Sequence, residues 1–496
     1  MSPNRQPNIL FIFTDQHKLS AVSCYGETPC RTPHIDALAR DGVRFETAYT
    51  SCPVCTPARG TIMTGLYPHG HGMCCNTEDL GCSVQELVDR PSLLSRRLEA
   101  AGYRLGYTGK WHLGRDRETS YGLPNARALP QDVGFEGQQF AGHGNGGFHY
   151  PEYHAYLAAH GWEHRLKPKD GRPYHAWTYG IVEGPEESTV PYFLAEHSIG
   201  LMDRFRQAGQ PFFLWHNFWG PHGPYYVPQA YYDLYRDVDI PEWPNYRWAE
   251  VGGNRPYHIK RHTHADELTW ADWAEAVRYY YAFATLIDRQ IGRLVEYLDA
   301  SGLRENTIII FTADHGETLG THAGLTDKGF HHFEEIQRIP FVAWLPPALA
   351  QGRGGAVVTE WASLVDVYPT LLDYAGAPAT EDEGLPGRSL RPLLEGRETA
   401  WRDSAFVEFF GVNSLITTMA SARHGRYKYG WNSTSEDDLY DLEADPHEMH
   451  NLIGDPARAG VVQEMRERLE AWMIETEHPG LGLYRRMRLV SGPQGP

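Results

Sequence analysis

Two apolar runs constrain this chain more than anything else in it. Asn8-Ile9-Leu10-Phe11-Ile12-Phe13 stops abruptly at Thr14-Asp15-Gln16, and Thr307-Ile308-Ile309-Ile310-Phe311-Thr312 stops at Ala313-Asp314-His315-Gly316. A strand with one wet face alternates apolar and polar residues, whereas a run apolar along its length is buried on both faces, as in a parallel sheet. Parallel strands need crossover connections, usually helices, and the chain supplies them. Thr32-Pro33 reads as the N-cap and first residue of a helix ending near Gly42. Pro91 through Ala101 reads as a second, stopped by Gly102, and Ala271 to Leu298 has sustained helical periodicity. Val43-Arg44-Phe45, Tyr103 to Gly109 and Pro211 to Trp215 return as strands. The alternation predicts an α/β fold, a doubly wound sheet with helices on both faces. Polar residues collect just past the strand ends, at Asp15, Lys110, His222 and Asp314, where open α/β sheets hold ligands.

The 496 residues exceed one simple core. From Ala375 to Pro386 the composition shifts to Ala, Gly, Pro, Glu and Asp, a linker signature. It divides a larger catalytic domain, 1–385, from a smaller α+β domain, 386–496, with short strands at 405–409, 414–418 and 426–429 and an amphipathic helix from Val461 to Trp472. An irregular insert, about Gly142 to Val190, is of the kind that is functional or mobile. Its Trp177 and Tyr179, with Trp215 and Trp219, are suited either to stacking on a sugar or aryl ring or to the core. The formal charge of −18 excludes a nucleic-acid partner. It also requires that any anion site be made locally positive by Arg, Lys, a helix N-terminus or a metal. No run is long enough to span a membrane, and MSPNRQPNILFIFTDQ lacks a signal-peptide cleavage site, so the expected location is the cytoplasm.

Thr50 to Gly65, TSCPVCTPARGTIMTG, carries the reactive candidate. With Thr56 as N-cap and Pro57 as first helical residue, Cys55 faces a positive helix end and Arg59 lies one turn further in. That setting favours an anionic nucleophile or ligand. The seven cysteines, Cys24, Cys30, Cys52, Cys55, Cys74, Cys75 and Cys82, crowd near the N-terminus, an odd set unlike a disulfide framework. Cys52-Pro53-Val54-Cys55 leaves a redox pair open, without the thioredoxin-like surroundings, and a zinc site lacks a second spaced pair. Asp15, Gln16, Asp314 and His315 offer two carboxylates, an amide oxygen and an imidazole, enough for one divalent cation. Ca²⁺ is favoured, with Mg²⁺ or Mn²⁺ the alternatives. Either pair taken alone reads more readily as a turn, and only their joint occurrence with the Cys55 segment points to a metal.

Cys55-Thr56-Pro57-Ala58-Arg59-Gly60 with Thr64-Gly65 resembles the signature of the type I, formylglycine-dependent sulfatases of the alkaline phosphatase superfamily. Gly102-Tyr103 through Gly109-Lys110-Trp111-His112-Leu113-Gly114 is similar to that family's second signature. Asp314-His315-Gly316 with Lys328 resembles the segment closing its metal site, and Leu439-Tyr440-Asp441-Leu442, Asp445-Pro446, Glu448 and Asn451-Leu452 its C-terminal strand and turn. The resemblance implies an alkaline-phosphatase-like fold and hydrolysis of aryl or carbohydrate sulfate esters. It implies that a maturation enzyme oxidises Cys55 to Cα-formylglycine, whose hydrate attacks sulfur and ligates the cation. Asp15, Gln16, Asp314 and His315 complete the metal shell. Arg59, Lys110 and Lys328 gather the sulfate oxygens, His222 or Lys328 protonates the leaving oxygen, and His112 helps the second hydroxyl of the hydrate expel sulfate. Asn76 resembles, by its place after the nucleophile, an active-site Asn of the related phosphonate monoester hydrolases. His69 and His71 read as loop residues.

Many family members carry Asp-Asp after the first strand and Asp-Asn in the later pair. Asp15-Gln16 and Asp314-His315 depart from both, lowering the shell's negative charge and trading an amide for an imidazole. The variants recur in phosphonate monoester hydrolases and in some sulfatases, so they leave metal and leaving group open, and a phosphonate monoester or phosphodiester hydrolase using the same site is the alternative. Lys110-Trp111-His112 favours the sulfatase. A third reading, an unmodified binding protein with a dead site, conflicts with the full set of polar partners. The expected partner is a small anionic ester, and a homo-oligomer is left open.

Overall fold

The computed structural model describes residues 6–79, 84–115, 128–140, 142–163, 165–169, 178–248, 268–328, 330–378, 384–413 and 415–490, so Cys82 and Trp177 lie outside the described residues. An eight-stranded sheet has the order Ala356–Val358, Val43–Phe45, Phe341–Trp344, Thr307–Ala313, Asn8–Asp15, Phe212–Pro221, Arg104–Gly109, Glu136–Gly137. The first apolar run is central: Asn8–Asp15 lies parallel between Thr307–Ala313 and Phe212–Pro221. Phe341–Trp344 runs antiparallel to both its neighbours, so the sheet is mixed toward one edge.

The strand period of two sorts the side chains into two cores. Ile9, Phe11 and Phe13 face one side, with Ile308, Ile310, Phe213 and Trp215, against Ala58, Ile62 and Met63 of the helix Cys55–Thr64. Leu10 and Ile12 face the other, with Ile309 and Phe311, against the helices Pro33–Asp41, Val190–Ala208 and Trp270–Ala300. Each large apolar side chain buried this way contributes about 1.5–3 kcal/mol. Carried on in the same phase, the alternation brings Asp15, Asp314 and Asn217 out on the side of the Cys55 helix.

The helix Pro33–Asp41 has Thr32 and Gly42 at its ends, as the sequence predicts. The next begins at Leu94 rather than Pro91, because Leu93 is still extended. A second sheet, Ser404–Val412, Leu415–His424, Tyr427–Asn432 and Asp438–Asp441, is antiparallel throughout and packs against the helix Ala459–Glu475. Leu390, Leu393 and Leu394 pack into the core of the large sheet.

The small sheet also grips the segment leading into the Cys55 helix, where Glu408 N–H donates to Ser51 O (3.0 Å). His69, on a short helix Pro68–His71 rather than in a loop, lies 2.6 Å from the Glu408 carboxylate through Nδ1 and 2.8 Å from Thr476 O through Nε2. His478 Nε2 reaches the same carboxylate at 3.2 Å. Tyr179 stacks on Tyr279 (4.9 Å between ring centres), and Trp215 and Trp219 are buried, so these three aromatics are core rings. Among the described residues no helix is long and apolar enough to cross a membrane.

Candidate active site

Cys55 is the first residue of its helix and Val54 the N-cap, with an extended backbone (φ −142°). Thr56 is therefore inside the helix and not the cap that its residue type suggests. A tight turn, with Thr50 Oγ1 and Val54 N–H both donating to Cys52 O at 2.8 Å, ends the loop two residues earlier. That frees the Thr56 hydroxyl to donate to His112 O (2.7 Å), while Thr56 N–H donates to Asn76 Oδ1 (3.2 Å). Pro57, now third in the helix, still occupies a position whose missing N–H costs nothing.

Cys55 Sγ lies 3.4 Å from His315 Nε2 and 3.7 Å from Asp15 Oδ1. Asp15, Cys55, Asp314 and His315, all fully buried, bring one ligating atom each within 4.8 Å of one another. A register shift against Phe212–Pro221 between Phe13 and Asp15 aims the first carboxylate. Asp314 N–H donates to Thr14 O and His222 N–H to Asp15 O, each at 3.1 Å, tying three strand ends together. His315 Nδ1 donates to Gly316 O (2.9 Å), which turns the bare Nε2 toward the cluster. Burial, then repulsion from Asp15, raises the Asp314 carboxyl above its ordinary range. Two carboxylates facing each other, a bare imidazole nitrogen and a side chain at 55 fit a divalent cation.

Gln16 adopts a left-handed backbone (φ 60°) and its N–H donates to Asp314 Oδ1 (2.9 Å). Its amide nitrogen donates to the Glu317 carboxylate, so its oxygen is the end left for the site, where it accepts from Lys328 Nζ (2.9 Å). Glu317, unforeseen from sequence, also accepts from Leu319 N–H and Asp327 N–H and so shapes the loop that carries Lys328.

Positive charge surrounds the cluster. Arg59, fully buried, donates from Nη2 to Asp15 Oδ2 (2.9 Å) and Asp314 Oδ2 (3.4 Å), and from Nη1 to Lys110 O (2.7 Å) and Asn217 Oδ1 (2.9 Å). Lys110 Nζ is 2.7 Å from Asp15 Oδ2. Burial alone would raise Asp15, but the charges of Lys110, Arg59 and Lys328 outweigh it and hold the carboxyl well below the usual range. Lys328 Nζ also meets Asp327 Oδ1 (3.2 Å) and His222 Nε2 (3.1 Å). His222 Nδ1 donates to Gly223 O (2.7 Å), so its Nε2 accepts from the ammonium, and burial with the Lys328 charge holds the imidazole neutral. Arg59, Lys110 and Lys328 are thus nearly balanced by Asp15, Asp314 and Asp327, and a divalent cation would make the site positive within an acidic protein.

His112, left-handed (φ 54°), is 2.7 Å through Nε2 from Glu78 Oε2. Burial would lower its pKa; Glu78 and the Cys55 side chain raise it. His143, half-buried, lies between His112 and His222 with ring centres 5.1 Å from each. The structure therefore gathers Asp15, Gln16, Cys55, Arg59, Lys110, His112, His222, Asp314, His315 and Lys328 around one point, with Asn76 bonded to the start of the Cys55 helix. Glu78, His143, Asn217 and Glu317 are the additions. Only Asn217 carried a signal, since it follows the apolar run 211–215.

The sulfatase family profile matches residues 7–377, and that of the C-terminal region of N-sulphoglucosamine sulphohydrolase matches 320–475. An arylsulfatase of Clostridium perfringens is 30% identical, covering 94% of this chain and 92% of its own. A multifunctional alkaline phosphatase superfamily protein of Trinickia caryophylli is 29% identical, covering 98% of each. Among solved structures, the phosphonate monoester hydrolase of Agrobacterium radiobacter superposes with a TM-score of 0.75 at 27% identity, covering 95% of this chain and 96% of that one.

Proposed function

Because the chain belongs to the sulfatase family of the alkaline phosphatase superfamily, a sulfuric ester hydrolase, we propose that Cys55, matured to formylglycine, is its nucleophile. The observation that carries this reading is the meeting of residue 55 with Asp15, Asp314 and His315 in one buried cluster. These three, residue 55 and the Gln16 amide oxygen would hold the cation, proposed to be Ca²⁺. It would supply Lewis acidity toward a sulfate oxygen and lower the pKa of a hydroxyl bound to it.

The remaining work falls to side chains already described. Arg59, Lys110 and Lys328 oppose the negative charge of the sulfate group, in a dry site where such charges act strongly. Lys328 shares a hydrogen-bonded proton with His222 Nε2, which places a proton donor for the leaving oxygen on that side. Asn76, bonded to the first turn of the helix, holds the segment in register. The substrate is a small anionic aryl or carbohydrate sulfate, and the reading requires a formylglycine-generating maturation enzyme. The phosphonate hydrolases are relatives of this chain and do not set its activity.

Cys55→Ala is expected to abolish turnover of 4-nitrophenyl sulfate with circular dichroism unchanged, and mass spectrometry of the peptide is expected to show aldehyde in place of thiol. An intact thiol throughout a fully active sample refutes the reading. Equal or greater efficiency on an aryl phosphonate would reverse the preference for sulfate.

A further inference from the structure

His112 has one ring nitrogen committed and one bare. Nε2 is 2.7 Å from Glu78 Oε2. Nδ1 is buried without a hydrogen-bond partner, and the residue-55 side chain lies beside the ring. Glu78 is fixed from both sides: Asn76 Oδ1 accepts from Thr56 N–H (3.2 Å), and Asp79 Oδ2 accepts from Asn413 N–H (3.1 Å). The acid is therefore carried on a segment anchored to the start of the Cys55 helix at one end and to the small sheet at the other.

We propose that Glu78 is the positioning residue that makes His112 a base toward residue 55. By accepting the Nε2 proton, the carboxylate selects the Nε2–H tautomer and aims the bare Nδ1 at the residue-55 side chain. The catalytic part rests on the reading of Cys55 given above; the tautomer does not. In the step it serves, the O–H bond of a residue-55 hydroxyl breaks and an N–H bond forms at Nδ1. The electron pair stays on oxygen, and Glu78 remains ionised beside the positive ring. A merely structural Glu78 would tie two loops together without deciding which nitrogen carries the proton.

The test uses full-length protein with ¹⁵N-labelled histidine, and His112→Asn identifies the signal. At a pH above the raised pKa of His112, wild type is expected to show the ring protonated at Nε2 and bare at Nδ1. In Glu78→Gln, whose amide can donate to Nε2, the Nδ1–H form is expected to appear. There kcat on 4-nitrophenyl sulfate falls about 10²–10⁴-fold with KM little changed. Glu78→Asp keeps the charge and is expected to retain the tautomer and recover part of kcat. A neutral wild-type ring protonated at Nδ1, or a Glu78→Gln variant that keeps both tautomer and kcat, overturns the proposal. Turnover retained by Cys55→Ala would remove the nucleophile reading separately, and the ring signal would still decide whether Glu78 sets the tautomer.

Discussion

Arg59→Lys keeps a charge and removes a shape. The guanidinium serves two carboxylates with Nη2 and two neutral acceptors, Lys110 O and Asn217 Oδ1, with Nη1. A lysine has one nitrogen and no fork. It is expected to stay with the carboxylates and abandon the neutral pair, both fully buried. Lys110 O keeps its bond from the Tyr107 hydroxyl, so the loss falls on Asn217 Oδ1; a buried acceptor left unpaired costs about 1–3 kcal/mol, against the about 5–15 kcal/mol that holds a domain folded. Arg59→Met also takes the guanidinium from Asp314 and leaves Asp15 with Lys110 alone, adding up to about 3–5 kcal/mol. Urea unfolding with a chelator, then with Ca²⁺, separates the two. A cation neutralises the carboxylates but cannot donate to Lys110 O or Asn217, so Ca²⁺ should restore much of the Met deficit and little of the Lys deficit. Arg59→Lys within about 0.5 kcal/mol of wild type, or restored by Ca²⁺ to a greater extent than Arg59→Met, would refute the reasoning.

Lys328→Met should lower kcat far more for an alkyl sulfate than for 4-nitrophenyl sulfate, since only the poor leaving group needs the proton; equal losses would exclude that role. Gly109→Ala places a Cβ 1.6 Å from Asn217 O at φ +93° and should displace Lys110 and abolish activity, whereas Gly102→Ala (φ +91°), with nothing within 4 Å, should cost only about 1–2 kcal/mol of backbone strain in urea unfolding. Burial alone would lower the His69 pKa, but Glu408 outweighs it and raises the value. That stabilisation is complete below about pH 6.5 and is lost as pH rises through the raised folded value. Glu408, pushed down to about 2 by its two histidines against burial, contributes above about pH 4.5 and fails as pH falls toward 2. Melting temperature should therefore decline above pH 6.5, and Glu408→Gln should flatten the slope.

The strand ends were legible because burial on both faces leaves an unbroken apolar run, and the first polar residue after it marks where the sheet meets solvent or ligand. Asp15 and Asp314 were found that way, and Cys55 and Arg59 by their local pattern. Thr56 was misplaced because a capping residue type specifies a local preference, and the hydroxyl found a tertiary partner in His112 O instead. Glu78, His143 and Glu317 sit in segments without periodicity, and each acts through a residue distant in sequence. His69 was hidden for the same reason, its partner Glu408 lying 339 residues away.

Those separations also set a clock. Ribosomes add about 5–20 residues per second, so the roughly 350 residues between Cys55 and Glu408 take on the order of 20–70 s to appear. Throughout that interval the small sheet does not yet exist to hold Ser51, and the cluster lacks Asp314 and His315 for most of it. A side chain that ends wholly enclosed is thus within reach of a modifying enzyme while the chain is being made and is shut away once it is complete.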